Sequence, residues 1–207
     1  MRITILTLTY PPEPAEQIHE LAKYFLSQNH DVTIITCLPS YPKGKIYKGF
    51  RYKFFKINYV EGIKIIRVLV FPSQSPNIFH RLLYYSTFAV STIIPVICTK
   101  TDIFVLYHPP PSVIVPIFIR NLFKKTKFVY WINDMWPETL EVVGLKKSFV
   151  NILNKIHSYI YSKAKRIIVL SDGFKENLIK KGVLKNKIKV IHNWVNANEF
   201  RTTKSSN

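Results

Sequence analysis

Apolar positions along this chain fall into short β-branched runs separated by stretches of helical period. Arg2–Leu8, rich in Ile, Leu and Thr, reads as a buried strand. Ala15–Asn29 carries Ile18, Leu21, Ala22 and Phe25 on one helical face, and Asn29 stands where a left-handed cap is wanted. Asp31–Cys37 is a second strand, so the opening is β-α-β, with parallel pairing and a right-handed crossover. Leu38–Asn58 reads as a long basic loop, and Gly62–Val70 holds the next strand. Asn77–Lys100 is helical with a disturbance at Pro95. Asp102–Tyr107 is a strand halted by HPPP, and Ser112–Lys124 a helix kinked at Pro116. Lys127–Ile132 is a strand ended by NDMWP. Lys146–Ser162 repeats an apolar face at Phe149, Ile152, Leu153, Ile156 and Ile160. Arg166–Leu170 is a strand, Ser171 caps the helix ending at Gly182, and Lys187–Ile191 is the last strand. Such alternation predicts one α/β domain, a doubly wound parallel sheet with helices on both faces.

Composition adds a partner class. Thirty Lys+Arg against twelve Asp+Glu give a net charge of +18. That field attracts phosphate in nucleic acid, in anionic lipid or in a small molecule. The densest run, Lys43–Lys56, interleaves Lys and Arg with Tyr47, Phe50, Tyr52, Phe54 and Phe55. Basic residues among aromatics suit nucleic acid, a membrane surface, or simply a solvated loop. No nucleic-acid motif accompanies them. Leu82–Thr99 is uncharged over 18 residues, barely the length of a membrane span, and fits a buried or interface-lying helix better. Cys37 and Cys98 stand in no paired motif, which implies neither a disulfide framework nor a metal site and suits a reducing compartment.

In open parallel sheets, ligands bind beyond the carboxyl ends of strands. There this sequence places Tyr10-Pro-Pro-Glu-Pro, Ser40-Tyr-Pro-Lys-Gly, His108-Pro-Pro-Pro and Asn133-Asp-Met-Trp-Pro-Glu. His108 and Asp134 thus converge on one crevice. A His there can hydrogen-bond phosphate or sugar, or move a proton; a carboxylate can orient a hydroxyl. Equally open are an ordinary loop His and a helix-capping Asp. Glu138 and Glu141 suit a helix's first turn. The chain has no dinucleotide fingerprint, P-loop, nucleophile elbow or metal-ligand spacing.

Taken in order, YPPEP, HELAKYFL, HDVTIITCLPSYPKGKIYKGF, YHPPP, WINDMWPETL, SDGFKENLIKKGV and KVIHNWV resemble the N-terminal half of family 4 GT-B glycosyltransferases. Within that family the chain is similar to WbuB-like transferases of O-antigen and capsule assembly. The resemblance implies a Rossmann-like acceptor-binding domain over residues 1–191, and an interdomain passage with an unrelated tail over 192–207. It implies retaining sugar transfer from a nucleotide-sugar, with no metal or other cofactor. His108 then lies against the donor sugar. Asp134, with Trp136 and Glu138, lines the acceptor side. Tyr10, Pro11, Pro12 and Glu13 approach the donor phosphates. His19 matches a His that recurs in this branch and joins the acceptor side. Tyr41, Lys43 and Lys45 face a polyprenyl-diphosphate-linked glycan at the cytoplasmic leaflet.

Departures from the family pattern are specific. The first loop lacks the Gly-rich stretch of many members, and Asn29-His30 stands where Gly-His is usual. VIHNWVNANEF matches the passage into a donor domain, whereas RTTKSSN matches nothing in the family. The sequence therefore reads as an acceptor half truncated at the hinge and inactive alone, located on the inner face of the cytoplasmic membrane. The alternative is a non-catalytic basic module for membrane or partner, such as one subunit of a split transferase with a separately encoded donor domain.

Overall fold

The computed structural model describes residues 1–50, 54–75, 77–108, 111–135 and 147–194, apart from the side chains of residues 78, 108, 147–150 and 152. Its strands are β1 (Arg2–Leu6), β2 (Asp31–Cys37), β3 (Phe55–Val60), β4 (Ile63–Val68), β5 (Ile103–His108), β6 (Phe128–Ile132), β7 (Arg166–Val169) and β8 (Ile188–Val190). Its helices are α1 (Glu16–Ser27), α2 (Ile78–Ser91), α3 (Ile93–Cys98), α4 (Val115–Asn121), α5 (Lys147–Lys163) and α6 (Asp172–Lys180).

The described strands form one sheet in the order β3-β4-β2-β1-β5-β6-β7-β8. Every neighbouring pair is parallel except β3–β4. From β1 the chain steps outward to β2 and β4. It returns through α2 and α3 to the other side of β1, then steps outward again from β5. The reversal between β1 and β5 leaves a crevice at the carboxyl ends of those strands, because the flanking connections leave in opposite directions.

Period-two alternation divides the strands' apolar residues between two layers. On one face Leu6, Ile35, Leu106 and Tyr130 pack with Phe88 of α2, Val96 of α3, Ile117 of α4, Ile160 of α5 and Leu178 of α6. On the other, Ile5, Ile34 and Val105 pack with Ile18 and Ala22 of α1. The expected doubly wound α/β sheet is therefore present.

Local signals account for several ends. Asn29 takes φ 58 just past α1, the left-handed geometry expected of it. Ser171 Oγ accepts from the Phe174 amide, capping α6. At the far end of α6, Gly182 has φ 85. There the Val183 amide donates to Leu178 O at 3.0 Å and the Gly182 amide to Ile179 O at 2.9 Å, a Schellman closure.

Elsewhere the structure differs from the pattern reading. Phe55–Val60, read mostly as loop, is an antiparallel edge strand on β4. The hairpin turns at Glu61 (φ 50) and Gly62 (φ 81), both left-handed, as a two-residue loop requires. The break expected at Pro95 falls at Thr92, between α2 and α3. A proline disturbs the turn before it, since its ring crowds the carbonyl four residues back. The Thr92 hydroxyl donates to Phe88 O at 2.7 Å. Pro116 produces no interior kink. It sits in the first turn of α4, after a 3-10 turn at Pro111–Ile114, where a missing N–H costs nothing. On α5 Ile156 is 47% exposed and His157 is buried in the neighbouring position.

At the amino ends of the strands Arg2 and Asp102 pair at 2.5 Å, tying β1 to the approach to β5. Hydrogen bonds from Arg2 hold the Asp102 carboxyl down at about 2. A depressed folded pKa contributes stability above the unfolded value, and that stability is lost as pH falls toward the folded value. Asp102→Asn is therefore expected to melt below the wild type at about pH 5 and level with it near pH 2. Thermal unfolding across that range checks this.

Candidate functional site

An open cleft of about 440 Å³ lies at the switch point. Leu8 and Thr9 after β1, Tyr41 after β2 and Tyr107 of β5 form one side. Ser73, Gln74 and Ser75 and the α2 residues Arg81, Tyr84 and Tyr85 form the other. Among the described residues the lining is phenolic and hydroxylic, with one cation and no carboxylate. Such a wall stacks and hydrogen-bonds sugar rings and offers a guanidinium to phosphate.

The rim is held by a buried carboxylate. Glu13 is 2% exposed. Its Oε1 accepts from the Ser40 amide at 2.7 Å and the Tyr41 amide at 2.8 Å, and its Oε2 from the Tyr10 amide at 3.2 Å. Thus the loop after β1 is stitched to the loop after β2. Burial pushes the Glu13 carboxyl above its ordinary range, while those amides and the Arg67 charge pull it back. Arg67 of β4 is buried beside it and donates to the carbonyls of Pro11 and Cys37. Burial lowers the Arg67 pKa, and Glu13 opposes that shift.

The basic-aromatic loop closes on the same network. Phe50 receives Lys56 Nζ at 4.5 Å and the Arg67 guanidinium at 5.3 Å. Tyr47 OH donates to Tyr41 O at 2.5 Å. Gly44 has φ 65, and a Cβ there would meet the Gln74 amide nitrogen at 3.0 Å. The loop after β2 can approach the far cleft wall this closely only with glycine at that position. Behind the wall, Cys37 Sγ donates to Leu8 O at 2.9 Å, and burial pushes its thiol up to about 12. That thiol is packing, not a nucleophile.

The residues singled out in the sequence occupy three settings. Tyr41 lines the cleft, and Lys43 and Lys45 stand exposed just beyond it. Asp134 is exposed after β6, close enough for its charge to push up the Tyr107 phenol, although burial is the larger cause of that rise. His108 closes β5, its backbone in register with Ile132; its side chain lies outside the described residues. Trp136 and Glu138 also lie outside them. Tyr10 and His19 turn away from the cleft. Tyr10 is buried with its OH 2.9 Å from His19 Nδ1, and His19 Nε2 lies 3.6 Å from Glu61. Pro11 is half-buried and Pro12 exposed on the rim. Glu13 holds that rim from below.

Sequence reasoning missed Arg67, Arg81, Tyr84, Tyr85 and Tyr107. An arginine inside IKIIRVLV signals a buried pairing, and Arg81, Tyr84 and Tyr85 share one helical face. An aromatic stack continues from the cleft. Tyr107 meets Trp131 edge-on at 5.4 Å, and Trp131 meets Trp194 at 5.5 Å. Gln17 joins both ends, accepting from Tyr107 OH and donating to Trp194 O. Among the described residues, no three His, Cys, Asp or Glu side chains cluster to hold a metal ion.

The Glu13 network makes a prediction about stability. Glu13→Ala leaves three amides without acceptors and Arg67 without its counter-charge, a loss of about 3 kcal/mol. Lys45→Ala, on the exposed loop, is expected to stay within about 0.5 kcal/mol of the wild type. Urea unfolding of both variants checks this.

Comparison with known proteins identifies the architecture. The family described as Glycosyltransferase Family 4 matches residues 15–199. The chain is 29% identical over 107 residues to the glycosyl transferase WcaI of Escherichia coli (strain K12), named for colanic acid biosynthesis. That match covers 48% of this chain and 25% of WcaI. Sucrose-phosphate synthase from Thermosynechococcus elongatus superposes with a TM-score of 0.64 at 11% identity, over 97% of this chain and 50% of that one. Anabaena Alr3699/HepE, solved in complex with UDP-glucose, superposes at 0.60 and 14% identity, over 99% and 47%. The chain spans about half the length of these structures, and its Rossmann-like sheet corresponds to about half of a GT-B fold.

Proposed function

Since the chain belongs to glycosyltransferase family 4, we propose that it is the acceptor-binding half of a retaining transferase. That enzyme moves a sugar from a nucleotide-sugar to a polyprenyl-diphosphate-linked glycan in the synthesis of a surface polysaccharide such as O-antigen or capsule. It works at the inner face of the cytoplasmic membrane, without a metal. Sugar transfer then needs a donor-binding half as well.

The observation that carries this reading is the switch-point cleft, with its tyrosine wall and Arg81. Tyr41, Tyr85 and Tyr107 line it, backed by the buried Tyr84, and a phenolic wall suits an acceptor glycan. Arg81 offers the cationic fork that a diphosphate requires. Lys43 and Lys45 extend the positive field outside the cleft. In this reading Asp134, which follows β6, orients the attacking acceptor hydroxyl, and His108, whose backbone closes β5, serves the donor sugar.

Titration with a short-chain polyprenyl-diphosphate-linked sugar is the direct test. Binding to the 207-residue chain is expected to weaken about tenfold or more in Arg81→Ala, the scale of one lost charge-assisted contact. UDP-glucose is expected to bind the chain far more weakly than the lipid-linked sugar. Tight UDP-glucose binding with no lipid-linked binding would reverse the assignment. In a protein joined to a donor half, His108→Ala and Asp134→Asn are each expected to lower turnover about a hundredfold. Unchanged turnover removes both residues from the mechanism.

A further inference from the structure

Helix α2 has two worked faces. Its inner side supplies Tyr84 and Phe88 to the core and Arg81 and Tyr85 to the cleft. Its outer side is apolar and uncovered. Phe79 is 74% exposed and Val90 66%, with Leu83 exposed between them. Positions 79, 83 and 90 recur at helical spacing on one stripe. The stripe continues past the Thr92 break into α3, where Ile94 is 60% exposed. An inward-packed helix gains nothing from a second apolar stripe in water, and large exposed apolar patches mark interaction surfaces.

The edge strand extends the patch. Phe55 and Ile57 of β3 face the same side as α3 and are exposed. With Ile66 and Ile94 they line an open trough of about 500 Å³, flanked by Lys64 and Lys100, and among the described residues no acidic one lines it. Charge is sorted on the same scale. From Leu38 to Thr101 the chain has one acidic residue, Glu61, and it is engaged by His19 and Lys23 at 3.6 and 3.5 Å. This half of the domain is therefore apolar at its outer face, basic around it and nearly free of negative charge.

We propose that the outer face of α2–α3, with the trough against β3, seats on an anionic lipid bilayer. The exposed apolar side chains enter the headgroup–acyl boundary, and Lys64, Lys100 and the lysines of the loop after β2 meet lipid phosphates. A protein partner matching this surface would need to be both apolar and acidic, whereas a bilayer of anionic lipid supplies both without further specification. The arrangement deepens the acceptor assignment, on which it rests for its biological sense. Arg81 and Tyr85 line the cleft from the same helix whose other side contacts lipid, so a lipid-anchored diphosphate reaches the cleft within the width of one helix.

The test is co-sedimentation of the 207-residue chain with vesicles of phosphatidylethanolamine and phosphatidylglycerol, and with vesicles of pure phosphatidylcholine. Binding is expected only to the anionic vesicles and is expected to fall with added salt. Val90→Ser with Ile94→Ser is expected to weaken it about tenfold or more, with an unchanged melting temperature because both side chains are exposed. Leu122→Ser with Phe123→Ser, an exposed apolar pair elsewhere on the domain, is expected to bind like the wild type. The proposal is overturned if the first pair binds normally, if the second pair releases the protein instead, or if binding ignores lipid charge. It is also overturned if the wild type sediments as a dimer that the first pair dissociates, since a second copy then covers the face. No glycan or sugar transfer enters this assay, so it can fail while the cleft still binds its acceptor.

Discussion

A carboxylate taken out of water must be compensated by fixed donors, and Glu13 gathers them from two loops at once. The amides of Tyr10, Ser40 and Tyr41 converge on it, and Arg67 supplies the balancing charge from β4. Three strand ends, those of β1, β2 and β4, are thereby locked at the carboxyl edge of the sheet. The switch-point topology opens a crevice there, and this network gives the crevice a rigid side. Tyr41 is held on the cleft because its own amide is one of the three donors. Phe50 folds the basic loop onto Arg67, so the loop and the rim share one anchor.

The alternation of strands and helices was plain in the sequence because it follows from burial on both faces of a parallel sheet. Asn29, Ser171 and Gly182 were legible for a narrower reason: each position demands a backbone geometry or a side-chain acceptor that few residues supply. Strand β3 was not legible. Its apolar side, Phe55, Ile57 and Tyr59, is exposed, and its more buried side carries Lys56 and Asn58, so it reads like the basic loop before it. Pro116 illustrates the limit of a residue-type rule, since its effect depends on which turn of the helix it occupies.

The site was legible as an edge and obscure as a set of side chains. Strand-end placement brought Tyr41 and Asp134 to the crevice region, because topology alone decides that. Glu13 and Tyr10 belong to the correct loop but point inward, and proline-rich spacing says nothing of direction. Arg81, Tyr84 and Tyr85 escaped notice because an uncharged helical stretch draws attention to its hydrophobicity rather than to its two sides. The same helix lines the cleft with Arg81 and Tyr85 and carries the exposed apolar Phe79, Leu83 and Val90 on its outer side.

Amide hydrogen exchange at Tyr10, Ser40 and Tyr41 tests the role of Glu13 most directly, because it reads the three donors individually in the native protein. If the carboxylate organises the rim, these loop amides exchange as slowly as those of Ile5 and Ile34 in the core strands. Exchange at the rate of the exposed Lys43 and Lys45 amides would show that the rim opens freely, and would contradict a cleft held in place by Glu13.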